Sequence, residues 1–209
     1  MGQQGLDQHD RARARLLESS EVQRRVADEC VDAILTAAGV ITDAFRSGGK
    51  VLLCGNGGSA ADCQHMATEF VGQLTKGVTR PGLPAIALTT DSSFLTAYAN
   101  DTGFDGVFER QLQALGKSGD VLIGITTSGN SLNVVRAVKI ARSIGMQTIA
   151  LTGYGGKIAD VADIVVSVPS DNMQYIQESH ISIEHLICEL VEAAITGDRT
   201  RQKAGKARP

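Results

Sequence analysis

Five short apolar runs punctuate this 209-residue chain: VLLCG from 51, AIALTT from 85, VLIGITTS from 121, TIALTG from 148 and IVVSVP from 164. Each is nearly continuous in hydrophobicity and rich in Leu or β-branched residues. None shows the polar alternate face of a half-solvated strand. Such strands must be covered on both sides, the condition of a parallel sheet between two layers of helices. The intervals read as helices at 60–74, 104–115 and 132–144, with a short one at 157–161. Strand and helix therefore alternate, which predicts an α/β fold built on a doubly wound parallel sheet.

Helices flank this unit. Val22, Val26, Cys30, Ile34, Ala38, Ile41 and Phe45 recur every three or four residues and predict one long amphipathic helix, stopped at Gly48-Gly49. A final helix is predicted over 172–195. No linker, repeat or low-complexity stretch divides the chain, so 1–209 reads as a single domain. Residues 1–20 form a polar N-terminal segment. The basic stretch 198–209 lacks apolar periodicity and reads as a solvated, disordered tail.

Composition narrows the partners. The chain is 43% hydrophobic but only 4% aromatic and has no Trp, so Ala and aliphatic side chains must fill the core. The formal net charge of −3 argues against general affinity for nucleic acid or an anionic membrane. No apolar run is long enough to span a bilayer, and the polar start lacks a signal-peptide core. Cys30, Cys54, Cys63 and Cys188 form no CxxC pair and read as buried free thiols. The expectation is a cytoplasmic protein.

Ligands of doubly wound sheets bind beyond the carboxyl ends of the strands. Two loops there have suitable chemistry. In the first, Gly55, Asn56, Gly57 and Gly58 let the backbone approach an anion, and Ser59 is placed to cap the following helix, whose start attracts negative charge. In the second, Thr126, Thr127, Ser128 and Ser131 surround Gly129 with hydroxyls suited to phosphate oxygens, and no Lys or Arg lies beside them in sequence. Neither loop has the lysine of a P-loop. Just past the first loop, His65 and Glu69 stand four apart and share a helix face. That spacing can hold one metal ion, though it is also common in solvated surface pairs. His180, Glu184, Gln177 and His185 lie together on the last helix.

Three stretches, GNGGS at 55–59, TSGNS at 127–131 and QESHISIEH at 177–185, resemble the sugar-isomerase (SIS) domain and, within it, the phosphoheptose isomerases. The similarity runs from about residue 20 to 195. It implies a flavodoxin-like SIS fold, a homotetramer with active sites between subunits, phosphosugar binding by the hydroxyl-rich loop, and one Zn2+ per subunit. Matched by position, the metal ligands are His65, Glu69, Gln177 and His185, and the catalytic pair is Glu69 and His185. Substrate contacts fall on Asn56, Gly57, Gly58, Ser59, Glu69, Asn100, Asp101, Thr126, Thr127, Ser128, Ser131 and Gln177. Gln73 and Gln174 depart from the Arg and the Asp or Thr that many members carry there.

The implied reaction is aldose–ketose isomerisation of sedoheptulose 7-phosphate to D-glycero-D-manno-heptose 7-phosphate. It moves a proton between adjacent carbons through an enediol. Glu69 suits the carbon base and His185 the oxygen shuttle. The alternative is a non-catalytic SIS protein, one that senses a phosphosugar or binds the replication initiator. The latter shares GNGGS, CQH and TTDSSFLTAYAND but lacks the acid and the histidine at 69 and 185. One difficulty is geometric. Gln177 and His185 are separated by roughly 12 Å along an ideal helix, too far to share one ion. Either Gln177 precedes the helix proper, or the two come from different chains, and a shared site could then also draw Glu69 from one chain and His185 from another.

Overall fold

The computed structural model describes residues 7–206, with side chains described for 7–197. Five parallel strands, β1 (Val51–Gly55), β2 (Ala85–Ala87), β3 (Val121–Thr126), β4 (Gln147–Thr152) and β5 (Ile164–Ser167), lie in the order β2-β1-β3-β4-β5. This is the flavodoxin-like doubly wound order, which reverses direction between β1 and β3. All five apolar runs are strands. Every residue of β1 and β3 is buried, as coverage on both faces requires.

Alternation within each strand feeds two cores. Val51, Leu53, Ile123, Ile125 and Leu151 face one layer, with α1 (Gln8–Glu29), α2 (Val31–Arg46), α3 (Gly58–Val71) and α7 (Met173–Lys206). Leu52, Cys54, Leu122 and Ala150 face the other, with α4 (Ser92–Asp101), α5 (Val107–Leu115) and α6 (Leu132–Ile144). Each fully buried large aliphatic side chain contributes roughly 1.5–3 kcal/mol relative to exposure. Aliphatic packing carries the core, and all four cysteines are buried free thiols.

Several element boundaries differ from the sequence reading. The long N-terminal helix is two, broken at Cys30, whose φ of −107° opens the turn while its N–H still reaches Val26 O. Its thiol donates to Ser167 O at 3.3 Å, a contact that draws the turn toward β5. The first half of α1 is polar, and side-chain bonds tie it to α7: Arg15 to Glu178, Ser19 to Glu178, and Tyr175 to Glu18. Residues 104–106 form a 3-10 turn ahead of α5. Residues 157–161 form turns rather than a helix. α4 has no counterpart among the predicted helices. α7 continues to Lys206, past the end predicted near 195 and through most of the stretch predicted to be disordered. Its Arg, Lys, Gln and Ala are good helix formers extending a helix already nucleated by packing. Residues 207–209 lie outside the described ones. No helix among the described residues is long and apolar enough to cross a membrane.

Candidate active site

β1 ends at Gly55, and the chain turns through Asn56 and Gly57 into α3. The helix N-cap is Gly57, at φ 57°, and no side chain caps it. Ser59 therefore does not cap the helix as predicted. It lies buried in the first turn instead. Gln177 lies across this turn, so that a Cβ on Gly58 would come within 1.9 Å of Gln177 Nε2. A side chain at Gly58 would have to displace the Gln177 amide. Gln177 also meets Asp62, whose carboxyl burial holds above its ordinary pKa, against the opposing pull of the Gln177 amide and the nearby His65.

The second loop follows β3. Thr126 Oγ1 lies 3.0 Å from Ser131 Oγ and 3.5 Å from Ser128 Oγ, which gathers three hydroxyls. Gly129, at φ +66°, presses on the next loop so closely that a Cβ would sit 1.9 Å from Gly155 O. The Thr127 carbonyl accepts from Gly153 N–H. Asn130 Oδ1 accepts from the backbone of Lys157 at 3.2 Å, tying this loop to the segment after β4. A reciprocal amide pair joins the two loops. Asn56 Nδ2 donates to Asn133 Oδ1 at 2.9 Å, and Asn133 Nδ2 to Asn56 Oδ1 at 2.8 Å. Both cradles thus share one edge of the sheet in a fixed relation.

α3 and α7 run side by side and in step. Gln177 stands opposite Gly58, and eight residues further along α7 and seven along α3, His185 stands opposite His65. The His65 and His185 Nε2 atoms are 2.7 Å apart, and His65 Nε2 is 3.7 Å from Glu69 Oε1. The donor atoms of His65, Glu69 and His185 all lie within 4.8 Å of one another. Two imidazole nitrogens and a carboxylate oxygen are a donor set that fits zinc and leaves a coordination position open. The helix spacing that suggested the His65–Glu69 pair is realised. Glu69 and His185 meet within one chain, so the sequence idea that a site draws them from different chains is corrected. Gln177 lies inside α7, which removes the option that it precedes the helix. Its side chain is at the Gly58 turn, not at the histidines.

Beneath the cluster, His180 and Glu184 are fully buried and lack well-formed hydrogen bonds, as does one oxygen of Asp62. Burial lowers the His180 pKa to about 4, partly offset by the Thr152 backbone. Burial, with Asp62 nearby, raises Glu184 to about 9. Of the two histidines on α7, His185 alone meets His65. Asn100 and Asp101 sit at the exposed end of α4, bonded to each other through Nδ2 and Oδ1 at 2.8 Å. α4 packs against the second core through Leu95, Tyr98 and Ala99, so within one chain these two residues stand apart from the histidines.

Comparison with known proteins gives this geometry a context. The family profile described as the SIS domain matches residues 16–153. The chain is 54% identical to the phosphoheptose isomerase of Aquifex aeolicus over 179 residues, 85% of this chain and 93% of that one. It is 52% identical to the Rhodospirillum rubrum phosphoheptose isomerase over 168 residues, 80% and 88% of the two chains. This chain belongs to the SIS-domain phosphoheptose isomerase family. The solved phosphoheptose isomerase of Neisseria gonorrhoeae superimposes with a TM-score of 0.84 at 44% identity, covering 90% of this chain and all of that one.

For a phosphoheptose isomerase family member, the sequence reading passed over three residues that shape the site. Asn133 locks the two loops together, Asp62 faces Gln177, and the Lys157 backbone N–H bonds Asn130 of the hydroxyl loop. Asn56 and Asn133 are 77 residues apart. A local motif carries no signal for such contacts. The one available hint was Asn133 within the first turn of a helix otherwise filled with apolar residues.

Proposed function

We propose that the chain interconverts sedoheptulose 7-phosphate and D-glycero-D-manno-heptose 7-phosphate. The observation that carries this reading is the His65–Glu69–His185 cluster, set on the same sheet edge as two anion-suited loops. The hydroxyls of Thr126, Ser128 and Ser131 hold the phosphate, assisted by the start of α6. The turn at Asn56, Gly57, Gly58 and Ser59 receives the reacting end of the sugar, with further contacts from Thr127 and Gln177 and, from a second copy of the chain, Asn100 and Asp101.

Chemistry then follows from proton positions. The Glu69 carboxylate takes the proton from C1 of the ketose as the C2 oxygen gains one, giving the enediol. His185 relays protons between the two oxygens. Glu69 returns its proton to C2, and the C1 oxygen closes to the aldehyde. One base near both carbons suffices because they are adjacent. His65, Glu69 and His185 would hold one Zn2+ per subunit, which would supply polarisation of the carbonyl. Gln177 completes the set from a second copy of the chain, since its own helix carries it away from His185. That arrangement favours a homotetramer with sites between subunits, in the cytoplasm, with neither nucleic acid nor membrane as partner.

The non-catalytic SIS readings lose ground because this chain keeps both Glu69 and His185. The deciding experiment supplies sedoheptulose 7-phosphate to the purified, zinc-loaded protein and follows the product by NMR. Formation of the heptose phosphate is the expected outcome. Tight binding without turnover would replace the isomerase with a phosphosugar sensor.

A further inference from the structure

α3 ends at Val71, leaving its last carbonyls without helical partners. Gly72 does not take the left-handed turn that often satisfies them. Instead Arg80 folds back from the following loop. Its Nη2 donates to Glu69 O at 2.7 Å, and its Nη1 to Phe70 O at 2.8 Å. Its Nε donates to Glu192 Oε1 at 2.7 Å. The Glu192 carboxylate also accepts the backbone N–H groups of Thr75 and Leu74, at 2.9 and 3.3 Å. The two side chains are 1% and 3% exposed. Glu192 follows His185 by seven residues, two turns along the same face of α7. One buried guanidinium therefore binds the end of the helix that carries His65 and Glu69 to the helix that carries His185.

We propose that Arg80 is a positioning residue for the metal cluster, setting the Glu69 backbone against His185 through Glu192. The inference rests on the reading of His65, Glu69 and His185 as metal ligands. All three donor nitrogens of Arg80 are used in a fork that lysine cannot reproduce. A purely structural pair exists for comparison. Lys50 bonds Asp120 at the opposite end of the sheet, where β1 and β3 begin.

The test uses the full-length, metal-free chain and zinc titration by chelator competition. Arg80→Lys is expected to weaken zinc binding by about 10- to 100-fold, as loss of a ligand's outer support does. Before any metal is added, it should also speed hydrogen exchange of the amides of residues 70–72. Lys50→Met should lower the melting temperature and leave zinc affinity unchanged. If Arg80→Lys does not fold, Glu192→Gln, which keeps the shape and removes the charge, carries the same test in the same direction. Wild-type zinc affinity and exchange in these variants overturn the proposal, as does an equal loss of affinity in Lys50→Met. If Glu69→Gln binds zinc as tightly as wild type, the metal reading itself fails, and the exchange measurement alone decides whether Arg80 holds the end of α3.

Discussion

Replacing Glu69 by Gln keeps the side chain's size and removes its basicity. Turnover should fall by about 10² or more, the usual loss for a general base. Stopped assays on folded protein check this, and near-wild-type turnover would remove Glu69 from the carbon-base role. His180, one turn and a half from His185, behaves differently because it is sealed. The unfolded chain protonates this histidine below its ordinary pKa of 6.5, while the folded chain keeps it neutral down to about 4. Across that window the unfolded state binds more protons, so stability falls as pH drops. The difference amounts to about 3 kcal/mol at full development. Urea denaturation at pH 7 and pH 4 should show wild type losing this much relative to His180→Leu. Both proteins retain Glu184, whose opposing trend cancels in the comparison. A constant difference between them would mean that His180 is solvated in solution.

Among the elements, the loop after β3 makes the sharpest claim. Ser128 Oγ accepts the Asn130 N–H at 3.2 Å, which leaves the hydroxyl hydrogen free to turn toward an anion. Ser128→Ala should weaken phosphosugar binding by about 1–3 kcal/mol, read by calorimetry. An unchanged dissociation constant would place the phosphate elsewhere. This loop and the Gly57 turn were legible in sequence because glycine and hydroxyl residues declare a ligand loop locally. The five strands were legible because burial on both faces leaves an unbroken apolar run. α4 was not. None of its ten residues is buried, so apolar periodicity is weak, and its main local signal is the Asp91 cap to Phe94 N–H. The break at Cys30 was also hidden, since the apolar spacing passes through it unchanged. Arg80, Asn133 and Lys157 act through contacts between distant segments, which no single-sequence pattern encodes.

For the whole molecule, the proposed division of ligands between α7 positions predicts how defective chains complement. A Gln177→Ala chain mixed with a Glu69→Gln chain should regain partial activity, because some sites combine an intact cluster with an intact Gln177 from the partner subunit. A Glu69→Gln chain mixed with a His185→Ala chain should regain none, because both residues belong to one cluster in one chain. Activity in the second mixture, or none in the first after mass spectrometry proves subunit exchange, would overturn the shared site. The reciprocal Asn56–Asn133 pair also bears on how long such an assembly lasts. Asparagine, a thermolabile residue, loses its amide when the next backbone nitrogen attacks the side-chain carbon and expels ammonia; water then opens the cyclic imide and leaves a carboxylate. At Asn56 that product would set a negative charge in the loop proposed to receive a phosphorylated sugar. Held by two hydrogen bonds to the Asn133 amide, the Asn56 side chain is kept from turning toward the Gly57 nitrogen. The chemical ageing of the site is thus governed from a different helix, 77 residues along the chain.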